Sequence, residues 1–354
     1  MVGQSSGIHS LVRKRENRGA AAVMYGASCL LLLLLVMMIA QPITGSNQLH
    51  RPVKDKIFWN PARILAQEPS LGTAWPEDAV KSVYLGKWSY HYRRAGMQTS
   101  TDDHIVSLLA IYPNLDVKGS SISLGQKHQQ PALYVDLGCG IGSSLLTVAH
   151  ELEPIQSLGI EAQAQSFTLL QRTLDELPPH ERSIACIHKD LRELTFADVA
   201  PGTCDLVTAN PPYARLEEGT LPKDPQRRSA RFELRGGLED YVFQASKMLK
   251  TDDGRFVLSF WNRDDKRVEA AAAAAGLVVH RKIEILMGVT GSNVYEMRHR
   301  QPPHIQQQTS IQQLDITRDS LGGGGLHQNY LTVKTALNLA PRPLKDKSLK
   351  NIEL

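Results

Sequence analysis

The stretch Leu133-Tyr-Val-Asp-Leu-Gly-Cys-Gly-Ile-Gly142 decides the fold. An apolar, β-branched run meets Asp136, three glycines alternate at 138, 140 and 142, and apolar residues then recur at Leu145, Val148, Ala149 and Leu152. That spacing predicts an amphipathic helix, closed by Pro154, with Ser143 and Ser144 as capping residues. A strand, a tight glycine turn and a helix form the first unit of a doubly wound α/β domain.

The same alternation continues downstream. Further strands are expected over 156–161, 183–188, 205–209 and 255–260. Helices fit Phe167, Leu170, Leu174 and Leu177 on one face, then 239–249 and 268–275, the last ended by Gly276. Residues 277–286 and 293–299 read as an antiparallel pair around a turn at 288–291. Upstream, Ser100-Thr-Asp-Asp103 is a capping box that opens a helix ended by Pro113. The domain is therefore expected over 96–300. Residues 41–95 read as an extension whose aromatics, Trp88 to Tyr92 among them, fill a core edge. Residues 114–130 read as a surface loop, and 301–354 as a low-complexity basic tail with at most a short strand at 330–333.

The chain has 354 residues, of which 42% are hydrophobic and 21% charged, enough apolar content for a substantial core. A net charge of +4 is mild, so any nucleic-acid footprint must be local. The cysteines at 29, 139, 186 and 204 have no metal-ligand spacing and form no disulfide framework, so no metal is expected. Residues 1–19 are basic, and 20–40 run without a charge, long enough for a membrane span of roughly 20 residues. The expectation is a single-pass anchored chain with its catalytic domain facing cytosol or an organelle matrix. The alternative is mitochondrial import with the N-terminus cleaved.

In an open α/β sheet, ligands gather at the carboxyl ends of the strands. The G-x-G-x-G spacing after Asp136 suits S-adenosylmethionine, whose ammonium an acidic side chain can hold and whose nucleoside can lie against Cβ-free backbone. Glu161, 25 residues after Asp136, falls where a carboxylate can take both ribose hydroxyls. Asp190 follows the third strand, where it could accept from the adenine amine. Asn210-Pro211-Pro212-Tyr213 directly follows the fourth strand and is the most specific signal. An exocyclic base amine or a side-chain amide is a poor nucleophile because its lone pair is delocalised. The Asn side-chain oxygen and the following carbonyl can accept its N–H groups and free that lone pair, while two prolines stiffen the loop and the Tyr ring stacks on the substrate.

Together, the 136–142 turn and Asn210-Pro-Pro-Tyr213 resemble the class I S-adenosylmethionine-dependent methyltransferases that modify planar nitrogens. The stretch 219–241 and Thr99-Ser-Thr-Asp-Asp103 resemble segments of the bacterial-type tRNA1(Val) adenine-N6-methyltransferase family in particular. The resemblance covers about residues 85 to 300. It implies a Rossmann-like, seven-stranded, mostly parallel sheet with helices on both faces and an antiparallel last strand. It also implies cofactor contacts from Thr101, Asp102, Asp136, Gly138, Cys139, Gly140, Glu161, Asp190 and Asn210, and a target base held by Asn210, Pro211, Pro212 and Tyr213. Lys223, Arg227, Arg228, Arg231 and Arg235, crowded around Phe232, then read as phosphate contacts for RNA, most naturally a tRNA loop with its base splayed out. The activity expected is adenine-N6 methylation of RNA. A protein glutamine methyltransferase and a catalytically silent, membrane-tethered RNA-binding fold are the alternatives.

Overall fold

The computed structural model describes residues 76–86, 88–118, 121–178, 183–286, 291–301, 308–317 and 328–339. A hairpin of β1 (Ala79–Leu85) and β2 (Trp88–Arg93) leads into helix α1 (Thr101–Ile111), followed by a second small hairpin, β3 (Asp116–Lys118) and β4 (Ser121–Ser123). The alternating unit follows: β5 (Leu133–Leu137), α2 (Ser143–Leu152), β6 (Gln156–Glu161), α3 (Ala164–Asp175), β7 (Ile184–His188) and β8 (Leu206–Ala209). Then come α4 (Pro225–Arg231), α5 (Leu238–Met248), β9 (Arg255–Trp261), α6 (Asp265–Ala274), β10 (Leu277–Leu286), β11 (Ser292–His299), β12 (Ser310–Asp315) and α7 (Gln328–Ala336).

Eight strands form one sheet in the order β12-β10-β11-β9-β8-β5-β6-β7. β11 runs antiparallel to both its neighbours and every other pairing is parallel, so the sheet is the doubly wound, mostly parallel one expected from the sequence. One face buries apolar residues of α1, α2 and α3, including Ile105, Leu109, Leu145, Val148 and Leu170. The other buries α5 and α6 through Val242, Ala245, Val268 and Ala272. A strand apolar on both sides, such as fully buried Leu133-Tyr-Val-Asp-Leu137, belongs in the middle of such a sandwich.

Four expectations change. The sheet has eight strands rather than seven, because 310–315, read as tail, pairs alongside β10. Leu314 alone among its six residues is buried, so the strand carries almost no apolar alternation to be read. Residues 328–336 are a helix rather than a strand, with Val333 buried and the Tyr330 hydroxyl 2.7 Å from a ring nitrogen of His104. The 114–130 loop contains the β3–β4 hairpin. The expectation of a membrane-anchored chain is also corrected. No helix among the described residues is long and apolar enough to cross a membrane, and the apolar run 20–40 lies outside the described residues.

Both ends of α1 are tied to the sheet. At its C-terminal end, Arg255 on β9 donates to the carbonyls of Ala110 (3.0 Å) and Leu109 (2.8 Å), which have no partner within the helix. The same guanidinium pairs with Glu296 at 2.8 Å, both side chains being almost fully buried. Arg255 and Arg298 hold the Glu296 carboxyl down at about 2 against its burial. Removing one partner strands a buried charge, so Arg255→Met is expected to destabilise the fold by about 3–5 kcal/mol in urea unfolding. A depressed carboxyl contributes stability that is present above its unfolded value and lost as pH falls. The wild type should therefore weaken between about pH 4.5 and 2, and Glu296→Gln should lack that component.

Candidate active site

β5 ends at Leu137, opposite Ile160, one residue before β6 ends at Glu161, and the turn between β5 and α2 folds over the end of β6. The N–H groups of Gly138 and Cys139 both donate to the Ile160 carbonyl, at 2.8 and 3.1 Å. Gly138 has φ +67°, and a Cβ there would sit 2.6 Å from the Tyr241 hydroxyl. Gly140 has φ +58° and nothing within 4 Å of where its Cβ would be, so its bare backbone forms open floor. Gly142, in the left-handed region, takes the cap position of α2 with no side-chain cap; Ser143 and Ser144 are the first helical residues rather than caps.

Above this floor is a cavity of about 550 Å³. Its walls bring together Asp102, Gly138, Cys139, Gly140 and Glu161 with Asn210, Pro211, Pro212 and Tyr213. Glu161 accepts the Gly140 N–H at 2.7 Å on one oxygen and the Gln163 N–H at 2.6 Å on the other, which fixes the carboxylate against the turn. Burial pushes its carboxyl up, opposed by those backbone donors. Each oxygen retains a further lone pair for a ligand hydroxyl.

Asp102 faces the cavity from the first turn of α1, bonded by the Ser292 hydroxyl at the start of β11. Burial raises its carboxyl to about 6 despite that bond, with Asp103 adding like-charge repulsion. Asn210 sits where β8 ends. Its Nδ2 donates to Asp103 Oδ1 at 2.7 Å, and its Oδ1 accepts the Tyr213 hydroxyl at 2.8 Å. Pro211 and Pro212 are buried, and the Tyr213 ring packs edge-on to Phe260 at 5.3 Å between centroids.

Other expected residues do not reach the cavity wall. Thr101 begins α1 beside it. Asp136 is buried beneath the turn, where its carboxyl accepts from Thr208 Oγ1 at 2.6 Å. Asp190 caps the short turn Leu191–Glu193, and both its oxygens are taken by the Arg192 guanidinium at 2.9 and 2.7 Å.

The basic segment is folded rather than a free loop. Asp224 caps α4 and pairs with Arg93 of β2 at 2.8 Å. Gln226, almost fully buried, accepts the Met97 N–H and donates to Ser166. The end of α4 is stitched to the Asn-Pro-Pro-Tyr loop by Ala214 and Glu233 backbone bonds at 3.0 and 2.9 Å. Arg231 and Arg235 line the cavity rim, with Arg235 donating to the Ala162 carbonyl at 2.7 Å. Lys223 and Arg227 are exposed farther out, while Arg228 is tied to the carbonyls of Pro222 and Lys223.

Sequence reasoning missed Asp103 as a partner of Asn210, and Ser292 and Trp261 as wall residues. Trp261 ends β9 and carries the Arg263 guanidinium 3.8 Å over its ring. The strand-end rule that located Glu161 and Asn210 could have found it.

The carboxyl of Asp136, raised by burial to about 8, has a measurable consequence. Between about pH 4 and 8 the folded chain keeps a proton that the unfolded chain releases, so this group lowers stability as pH rises, by up to about 1.4 kcal/mol per unit. Asp136→Asn should remove that slope. Its melting temperature should gain on the wild type between about pH 5 and 7.5, and a constant difference across that range would contradict the raised carboxyl.

No family model matches the chain. Its curated relatives include a release factor glutamine methyltransferase from Caulobacter vibrioides, 30% identical over 158 residues, which is 43% of this chain and 53% of that protein. A tRNA1(Val) (adenine(37)-N6)-methyltransferase from Yersinia pestis is 30% identical over 124 residues, 34% of this chain and 47% of that protein. The chain thus spans about half the length of the curated relatives it matches. Among solved structures, a predicted O-methyltransferase from Agrobacterium tumefaciens overlays with a TM-score of 0.43 at 17% identity, over 67% of this chain and 97% of that one. TYW2 from M. jannaschii, solved with AdoMet, gives 0.41 at 12% identity over 64% and 90%. The chain is therefore a homologue of methyltransferases whose names specify a nitrogen acceptor, an adenine amine in one and a glutamine in the other.

Proposed function

We propose that this chain is an S-adenosylmethionine-dependent N-methyltransferase acting on the exocyclic amine of adenine in RNA, a tRNA foremost. The observation that carries this reading is the sharing of one cavity by the bare glycine floor, the Asn210 amide and the rim of a docked basic segment. Gly140 and Glu161 would hold the ribose edge of the cofactor, and Asp102, facing the cavity, would lie toward its cationic end. When bound, S-adenosylmethionine supplies a sulfonium methyl group to an in-line nitrogen.

The work of the protein is to present that nitrogen. Asn210 Oδ1 and the Pro211 carbonyl accept its two N–H groups, which localises the lone pair for attack. The Tyr213 ring and buried prolines fix the plane of the base. After transfer, the excess proton leaves to solvent and the amine regains conjugation, so no strong base is needed. Exposed Lys223, Arg227, Arg231 and Arg235 would meet phosphates of a single-stranded loop.

The full chain incubated with labelled S-adenosylmethionine and total tRNA should yield N6-methyladenosine after digestion to nucleosides. Asn210→Ala should lower that product by about 10²–10³-fold, and unchanged product would sink the reading. The paired change Arg227→Glu and Arg231→Glu should weaken RNA binding and flatten its dependence on salt, by about 1 log–log unit for each phosphate no longer neutralised. The longer match to a glutamine methyltransferase favours a protein substrate as the second reading. Label in a protein fraction, with none in nucleosides, would put it first.

A further inference from the structure

We infer that Asp103 is the positioning residue that sets which end of the Asn210 amide faces the acceptor nitrogen. This rests on the methyl-transfer reading above. An Asn side chain is nearly symmetric in shape, so packing alone does not decide where its oxygen lies; its hydrogen-bond partners do. A flipped Asn210 would present a donor to a donor, and the site would be inert.

The partners favour one arrangement. Asp103 Oδ1, purely an acceptor when ionised, lies 2.7 Å from Asn210 Nδ2, which also reaches Ser100 Oγ at 3.3 Å. Its Oδ2 accepts the Ser100 N–H at 2.8 Å, and Ser100 Oγ accepts the Asp103 N–H at 3.1 Å, so the helix cap holds the carboxylate in place. At the opposite end, the Tyr213 hydroxyl lies 2.8 Å from Asn210 Oδ1, and it also bonds Ser259 Oγ and the Asp102 carboxylate, so the fixed partner of the amide is Asp103. Burial raises the Asp103 carboxyl, opposed by the donors from Asn210, Ser100 and Ser143 that favour its ionised form; with it ionised, a flip would set Oδ1 against the carboxylate with no proton between them. The carbonyl oxygen has a second lone pair for the incoming N–H. Donation from Nδ2 to a charged acceptor also polarises the amide and makes that oxygen a better acceptor. A residue that reads as an ordinary helix cap thus reaches 107 positions along the chain to orient the group at the chemistry.

Asp103→Asn retains the shape but leaves one side-chain oxygen for two donors, Ser100 N–H and Asn210 Nδ2, the latter keeping otherwise only its longer 3.3 Å contact to Ser100 Oγ. The variant should lose about 10²-fold in kcat, with the Kd for S-adenosylmethionine, measured by calorimetry, changed less than about threefold. The loss should vanish in an Asn210→Ala background, because there is no amide left to orient; a merely structural role would impose it there too. Selective ¹⁵N-asparagine labelling reads the geometry without turnover. One Nδ2 proton of Asn210 should lie downfield in the wild type and return to the ordinary range in Asp103→Asn. Absence of that downfield proton in the wild type, or full kcat in the variant, overturns the assignment even if the chain is a methyltransferase. A wild-type chain that transfers no methyl group to RNA or protein overturns the catalytic role and the function proposed above together.

Discussion

The site depends on the register of β5 with its two neighbours. Leu137 pairs with Ile160 on one side and with Ala209 on the other. The next residues along, Gly138 and Asn210, therefore leave the sheet at the same level from adjacent strands. Ala209 also pairs with Leu258, which brings Ser259 and Trp261 to the same edge. A one-residue slip would turn each strand's side chains to the opposite face, and burial of β5 on both faces leaves no room for that. The two most diagnostic motifs are 72 residues apart in sequence, and hydrogen-bond registry alone makes them neighbours.

Helix α1 then acts as a strut across this edge. Its C-terminal carbonyls are fastened by Arg255, and its capping carboxylate meets Asn210. The first turn crowds two acids, Asp102 and Asp103, into a region that also holds Glu161 and the deeper Asp136, and burial raises all four carboxyls. Desolvated acids of this kind gain from a cationic ligand, because it lowers the cost of their ionised forms. The proposed cofactor carries two cationic centres. The electrostatics and the glycine floor thus favour the same class of guest.

Most of the αβ alternation was legible because each central element carries a strong period. The strands β6 and β10 and the inward face of α5 fall where the sequence places them. The edges were not legible. Strand β12 is Ser-Ile-Gln-Gln-Leu-Asp, half exposed, and only its pairing with β10 makes it a strand. The lining of the candidate site was readable in residue type and strand-end position, since Glu161 and Asn210 both reach the cavity, but not in partnership. Nothing in the sequence separates Asp190, whose carboxylate is occupied by Arg192, from Glu161, which is presented to the cavity. Nor does it reveal that the cap residue Asp103 has a second bond. Composition records which groups exist, and the competition among their partners is settled only in three dimensions.

The choice between the two kinds of acceptor nitrogen turns on α4. An amide and an adenine amine make the same demand on Asn210, so the Asn-Pro-Pro-Tyr loop cannot tell them apart. What lies around the cavity can. A flexible basic loop would lose much of its attraction for a polyanion to the cost of ordering several long side chains. Here that cost is met in folding, because Asp224 and Gln226 dock α4 onto the β1–β2 hairpin and α3 before any ligand arrives. The Arg228 guanidinium is spent on that scaffold, while Arg227 and Arg231 stay exposed on it. A preformed cationic rim has little use for a neutral peptide loop, whereas a nucleic acid presents a phosphate at every step, beside a base that would be splayed out to reach Asn210 under the proposed function. The docking of α4 is thus the feature on which the proposal of an RNA acceptor, rather than a protein amide, rests.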